Sequence, residues 1–268
     1  YGDVHVDARG YVDASGDAAL AWLAGLDCRE PDVPIFGTQM FVLEHLDEAH
    51  LPTREAFTKR IKEKAAQYGI SRDDGLFFRF PGRGVGAMNM AHLETPLDPL
   101  AASATALAGR EQVDRVIEFL KAEYPQAFGA ARIRAYALPG IRQTRWIAGL
   151  HQLTTDEVRA ATRFPDTIAR TSWPVELHDQ PEGYVWEPFG EDHVHTVPLR
   201  SLIPAGSDNL VAAGRCIDAD AAALSSVRVM GPCIAMGAAA AHALDLTLGG
   251  KVQDVDVPAL QERIHANI

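Results

Sequence analysis

The sequence predicts an α/β chain whose two ends fold together into one domain around an inserted α+β domain. Three observations carry this expectation. Small residues dominate both ends, where a short apolar strand leads toward an alanine-rich helix, first within residues 11–24 and again within residues 209–248. Pro31 and Pro34 break the first texture, and longer aromatic-bearing strands follow at residues 38–46 and 76–80. The small-residue texture then returns after Pro198-Leu199-Arg200-Ser201-Leu202-Ile203-Pro204. The expected boundaries are 1–30 with 200–250 for the end-built domain, 31–199 for the inserted domain and 251–268 for a C-terminal tail.

Each element has a local signal. Val4, Val6, Tyr11 and Val12 around Asp7-Ala8-Arg9-Gly10 predict strand, turn, strand, followed by a small-residue loop at Asp13-Ala14-Ser15-Gly16-Asp17 and a helix over 18–24. Thr53 is a helix cap ahead of Phe57, Ile61 and Ala65 at four-residue spacing. Val113, Val116, Ile117 and Leu120 mark a second amphipathic helix. Thr154 with Glu157 has the form of a capping box, opening a short helix that must stop near Phe164-Pro165. Residues 172–197 carry Trp, Pro, Gly and His without helical period and predict loops and short strands. Asn209-Leu210-Val211-Ala212-Ala213-Gly214 is a short apolar strand ending in glycine.

Composition excludes several classes of function. With 36 acidic against 25 basic side chains the net charge is −11, which repels phosphate backbones and anionic lipid surfaces, so neither a nucleic acid nor a membrane is an expected partner. The longest small-apolar stretch, 227–248, contains Arg228, His242 and Asp245 and is alanine-rich, too weakly apolar to span a bilayer. Three scattered cysteines, Cys28, Cys216 and Cys233, form neither a disulfide framework nor a Cys-x-x-Cys pair, as expected of a reducing cytoplasm. The chain opens at Tyr1 with neither initiator methionine nor a basic-then-apolar leader, as expected of a fragment or a processed chain.

Several motifs then align along the chain. They are Val12-Asp13-Ala14-Ser15-Gly16-Asp17-Ala18, Gly140-Ile141-Arg142-Gln143-Thr144-Arg145, Leu153-Thr154-Thr155-Asp156 and Phe164-Pro165-Asp166-Thr167, with the 198–204 and 209–217 segments and Ser226-Val227-Arg228-Val229-Met230-Gly231-Pro232-Cys233. In order and spacing the sequence resembles FAD-dependent oxidoreductases related to the flavoprotein subunits of fumarate reductase and heterodisulfide reductase. The resemblance implies a Rossmann-like FAD domain built from the two ends, with the insert as a substrate or cap domain and the site at their junction. It further implies FAD as cofactor and hydride transfer from a small organic substrate.

Such flavoproteins open with a Gly-x-Gly-x-x-Gly turn that seats the pyrophosphate at a helix N-terminus, and this sequence has none. Gly82-Arg83-Gly84-Val85-Gly86 has the wrong spacing and follows a proline. The Rossmann-like fold is therefore expected to be incomplete, its nucleotide-binding half carried by a second chain or a missing upstream segment in a hetero-oligomer. The alternative is a non-catalytic partner or assembly subunit of a flavoprotein complex. Asp218-Ala219-Asp220-Ala221 also departs from the pattern, since relatives carry histidine or another bulky polar group near Asp220.

The resemblance assigns Ala14, Ser15, Gly16 and Asp17 to the FAD side, Gly214 and Arg215 to the return of the chain beneath the flavin, and Ser226, Val227, Arg228, Val229 and Met230 to the isoalloxazine. The residues themselves allow this: a small-residue turn exposes backbone amides and admits close approach. A helix starting near Gly231-Pro232 presents the positive end of its dipole to negative charge. Equally, Ser15 or Asp13 is a plain helix cap and Arg215 a link between loops.

Substrate chemistry rests on fewer signals. His178 lies in Trp173-Pro174-Val175-Glu176-Leu177-His178, a stretch that resembles the family's approach to the flavin, and is read either as a proton acceptor or as a solvated or structural loop histidine. Arg145, three residues from Arg142 on one potential helical face, is placed either as a carboxylate clamp or in an ion pair. His195 is a candidate facing substrate. Together with His193 it supplies two same-face strand ligands without a third, so no metal site is expected. Asn89 and His92 are candidate pocket residues, and Cys216 with Cys233 is read either as a redox pair or as two buried small hydrophobes.

Overall fold

Two short strands far apart in sequence, Tyr11–Asp13 and Leu210–Ala212, lie side by side in parallel, pairing Tyr11 with Leu210 and Asp13 with Ala212. The computed structural model that shows this describes residues 2–268. In chain order its elements are β1 (Tyr11–Asp13), α1 (Ala19–Leu23), β2 (Cys28–Arg29), β3 (Gly37–Glu44), α2 (Arg54–Lys64), β4 (Leu76–Phe80), β5 (Val85–Leu93), α3 (Pro99–Glu123), α4 (Pro125–Phe128), β6 (Arg132–Tyr136), β7 (Trp146–Ile147), α5 (Thr155–Arg159), β8 (Thr167–Thr171), β9 (Val175–Leu177), β10 (Val185–Glu187), β11 (His195–Pro198), β12 (Leu210–Ala212), α6 (Ala221–Val227), α7 (Met230–Leu246) and α8 (Val257–Arg263). They divide into two units, one of Tyr1–Asp32, Gln143–Leu177 and Trp186–Ile268, the other of Val33–Arg142 and His178–Val185.

The first unit is a mixed α/β body of several two-stranded sheets. Its core runs from Ala18 and Ala21 through Ile168, Val211 and Leu224 to Met236, Ala239 and Ala243. Helix α7 buries Ala235, Met236, Ala239, Ala240 and Ala243. The alanines among them let its axis come close to β8, β1 and β12.

This unit is larger than the expected 1–30 and 200–250. Residues 143–177 and 186–199 belong to it as well, because β2 pairs with β7 and β8 with β11. Nor is 251–268 a loose tail: Val252, Leu260 and Ile264 are buried in the same core. The expected strand, turn, strand over 4–12 reduces to β1 alone, for Val4 and Val6 are exposed and residues 2–10 form no strand.

The second unit is an antiparallel sheet in the order β4-β5-β3-β6. Helix α3 packs on β5 and β3, burying Val113, Val116, Phe119 and Leu120. Thr53 caps α2 by accepting from the Ala56 amide at 3.2 Å, and Phe57 and Ile61 turn inward from that helix. Asp98 caps α3, whose first residue is Pro99, where no N–H is lost.

Candidate functional site

In the first unit, strand β1 delivers a loop that doubles back on itself. Asp13 accepts from the Ser15 amide (3.1 Å), the Ser15 hydroxyl (2.7 Å) and the Ala21 amide (3.0 Å). Burial pushes its carboxyl up, but these donors outweigh burial and its pKa is lowered. Cys216 Sγ accepts from the amides of Gly16 (3.0 Å) and Ala18 (3.4 Å), and Ser15 Oγ accepts from Ala19 at 2.9 Å. Gly16 (φ +84°) and Ala18 (φ 47°) both take the left-handed conformation that this folding-back requires.

The loop therefore differs from the open amide cradle the sequence suggested. Its donors are already engaged, and what it presents outward is the exposed pair Ala14 and Ser15. Cys216 is a free buried thiol in this role, and its pKa is raised, chiefly by burial.

Gly214 (φ +73°) turns the chain after β12 so that Arg215 lies across the same loop. A Cβ on Gly16 would stand 2.5 Å from the Arg215 guanidinium, which instead pairs with Asp17 at 2.8 Å. Asp17 also accepts from the Thr144 hydroxyl, and its carbonyl accepts from Arg145 Nε at 3.0 Å. Arg145 lies over the Trp22 ring at 4.5 Å. The shared helical face expected for Arg142 and Arg145 is absent: residues 142–145 form no helix, and Arg142 belongs to the other unit.

Helices α6 and α7 meet at 90° across Arg228 and Val229. No side chain caps α7, and the amides of Met230 and Gly231 in its first turn have no intrahelical acceptor. Arg228 sits at the corner with Nη2 on the Glu176 carbonyl (3.3 Å), while its Nε is buried without a partner. Burial pushes its pKa down to about 10, with the Arg215 charge adding to the depression, so it stays cationic at neutral pH. Cys233 Sγ donates to the Arg228 carbonyl at 3.1 Å and lies 3.6 Å from where a Gly214 Cβ would be. These contacts bring loop 14–17, Gly214, Arg215 and Arg228 into one neighbourhood, with Val229 and an 83 % exposed Met230 at its edge.

Ser226 and Val227 are buried behind this corner. Ser226 Oγ donates to the Trp173 carbonyl at 2.5 Å, so it must accept from His195 Nε2 at 2.9 Å. His195 Nδ1 in turn faces His193 Nε2 at 3.0 Å. His195 has no exposed surface, and burial, then His193, pushes its pKa down to about 4. With both nitrogens engaged it fixes Ser226 and does not face an open pocket. His193 precedes β11, so the two histidines are not alternate residues of one strand. Among the described residues no group of three or more His, Cys, Asp or Glu is placed to hold a metal.

Asp220 is structural. Its carboxylate caps α6 through the Ala223 amide (2.8 Å) and also accepts from the Thr155 amide (2.6 Å) at the start of α5. Helix α5 has the capping box of Thr154 and Glu157 but ends at Arg159, short of Phe164. In the second unit, Gly82 and Gly84 form the β4–β5 turn, and their amides donate to Glu48 at 2.9 and 2.6 Å, so this glycine run already holds a carboxylate.

The second unit holds His178, 1 % exposed, with Tyr184 stacked on it at 4.7 Å and its Nδ1 3.2 Å from His92 Nε2. Arg72 lies beyond Tyr184, its centre 5.7 Å from that ring. Arg72 is wholly buried, paired with Asp74 and bonded to Asn89 Oδ1 at 2.9 Å. Arg72 and Tyr184 belong to no motif, and the contact that joins them links positions remote along the chain.

The donors at the α6–α7 corner fit the polar edge of a planar, acceptor-rich cofactor: a half-buried cation with an orphaned Nε–H, the amides of an uncapped first helical turn, and open space at Gly231. No curated protein and no solved structure matches the chain. The family model described as FAD dependent oxidoreductase matches residues 1–264. Its cofactor is FAD and its chemistry that of a flavin oxidoreductase, and the chain belongs to the FAD-dependent oxidoreductase family.

Proposed function

We propose that this chain is the substrate-oxidising portion of a flavin dehydrogenase, acting on a small organic molecule at a carbon bearing a hydroxyl or an amine. The observation that carries the reading is the half-buried Arg228, whose Nε lies out of water without a partner, at the uncapped start of α7. When bound, FAD supplies a two-electron acceptor whose reduced form carries negative charge on its pyrimidine edge. Arg228 and the Met230 and Gly231 amides would hold that edge, the helix terminus contributing up to ~2 kcal/mol in a partly buried geometry. Arg215, steadied by Asp17, would take a neighbouring acceptor, and Ala14 and Ser15 would supply a close-fitting wall. Ser226, pinned by His195, keeps the corner fixed. His178 is the base that accepts the substrate proton.

In this reading the sheet of β1 and β12 is a fragment of a larger Rossmann-like one. Parallel strands are normally buried on both faces within wider sheets, and among the described residues only two pair, in a unit that also exposes Trp22, Leu23, Met230 and Ile234. A second polypeptide or an upstream segment carrying the Gly-x-Gly-x-x-Gly half would cover them, with the second unit as the cap or substrate domain. The 226–233 motif supports kinship with the fumarate reductase and heterodisulfide reductase flavoproteins, and three free cysteines suit a cytoplasmic setting.

One observation favours a second reading, a non-catalytic assembly subunit: the amides of Ser15, Gly16, Ala18 and Ala19 are all consumed internally. Purification with intact-mass analysis separates the two. The dehydrogenase reading expects a yellow preparation, flavin released on denaturation, and a second polypeptide or an extension in the mass spectrum. A colourless preparation that stays inert with added FAD and the nucleotide-binding half overturns it in favour of assembly.

A further inference from the structure

Strand β4, Leu76-Phe77-Phe78-Arg79-Phe80, is the outermost strand of its sheet, bonded to β5 and to no other strand. In an antiparallel pair alternate residues turn their N–H and C=O away from the partner. Among the described residues nothing pairs with those outward groups of β4. Soluble proteins blunt a free edge with charge, proline, a bulge or a covering loop. Here the register with β5 is unbroken, a single charge stands among three phenylalanines, and Phe78 and Phe80 are 49 % and 45 % exposed. A cavity of about 520 Å³ adjoins this edge. Leu76 and Phe78 point to one face of the sheet, Phe77 and Arg79 to the other, so a space lined by all four runs along the edge and not over either face. Its far wall is the start of α2, with Arg54 and Phe57. An open edge strand facing a helix admits an extended peptide as an added strand, in which backbone bonds give affinity and the flanking walls select side chains.

We propose that this groove takes an extended acidic segment of a partner protein, which adds beside β4 as a fifth strand of the sheet. Charge selects the occupant. Arg54 and Arg79 flank the groove from its two walls, both are exposed, and among the described residues no acid lines it. Neither guanidinium has a hydrogen bond or an ion pair among the described residues. The Arg79 charge reaches Glu48, but the Gly82 and Gly84 amides already hold that carboxylate. Carboxylates on an incoming strand would meet both arginines, and its apolar side chains would pack against Leu76 and Phe78. The same charges oppose a second copy: pairing β4 with its own counterpart about a two-fold axis gathers Arg54 and Arg79 of both copies at one seam. Every lining residue belongs to the second unit, so the groove is independent of the flavin reading.

Fluorescence anisotropy of a labelled, end-blocked peptide alternating valine and glutamate tests this on the full chain with whatever polypeptide it carries. The peptide should bind saturably, and its valine–lysine counterpart should bind ~10-fold more weakly or worse. Arg54→Glu combined with Arg79→Glu, both at exposed positions, should reverse that preference. Two further acidic peptides carry N-methyl groups on alternate residues, one in each register. The form methylated on its sheet-facing amides should lose binding, and the other should keep it. Amide exchange should slow within residues 76–79 when the acidic peptide binds. Absence of saturable binding, equal affinity for the acidic and basic peptides, equal binding of the two methylated forms, or protection away from β4 overturns the proposal. Sedimentation showing a dimer that Phe78→Asp dissociates and the acidic peptide does not displace also overturns it, assigning the edge to a second copy.

Discussion

The guanidinium of Arg215 occupies the space that a Cβ on Gly16 would need, 2.5 Å away, and Gly16 also holds a φ of +84°. Two independent reasons thus demand glycine there. Gly16→Ala should cost at least ~1 kcal/mol from the left-handed backbone alone, and should dislodge Arg215 from Asp17. Urea denaturation and retained flavin should both fall. A variant with wild-type stability and flavin content would contradict this placement of Arg215.

Arg228 is half-buried, and its Nε, out of water, has no partner within the chain. Arg228→Met should therefore leave folding stability unchanged or raise it, since replacing a partly desolvated, under-compensated charge by an apolar chain is often neutral. FAD affinity should weaken ~10-fold or more, equivalent to about 1.4 kcal/mol. Flavin fluorescence titration reads this, and unchanged affinity would remove Arg228 from the cofactor site.

His195 predicts a pH dependence of fixed sign. Its pKa is about 4 in the folded protein against the ordinary 6.5 once unfolded, so between those values the unfolded chain binds more protons. The stability it contributes is complete above pH 6.5 and is lost as pH falls toward 4. His195→Phe should flatten that part of the urea-midpoint profile. A profile as steep as wild type would show that His195 is not held neutral.

Asp220 serves the starts of two helices with one carboxylate. Losing an ordinary cap costs ~1 kcal/mol. Asp220→Ala should exceed Thr53→Ala, which removes a single cap from α2. Equal losses in chemical denaturation would mean that the Thr155 contacts contribute nothing.

What the sequence made legible was local. Four-residue apolar spacing located α2 and α3, the Thr154 and Glu157 pair marked the start of α5, and residues 76–80 read correctly as a strand. Val4 and Val6 misled because alternation makes a strand only when a neighbour supplies hydrogen bonds, and none lies beside them. The membership of residues 143–177 depends on β2 pairing with β7 and β8 with β11, partners whose distance along the chain leaves no compositional trace. The site divides the same way. Motif order pointed to the loop, to Arg215 and to the 226–230 segment. That Cys216 would absorb the amides of Gly16 and Ala18, some two hundred positions earlier, was not readable, nor was the pairing of His92 with His178.

The proposed flavin site consists of Arg215, Arg228 and the start of α7, with loop 14–17 as a wall. Amide hydrogen exchange compared between the flavin-loaded protein, with whatever polypeptide it carries, and the same preparation stripped of FAD tests this most directly. FAD should slow exchange at Met230 and Gly231 and in residues 14–18, while the Gly82–Gly84 turn stays unchanged. Unaltered exchange at Met230 and Gly231, or protection centred on Gly82–Gly84, would contradict it.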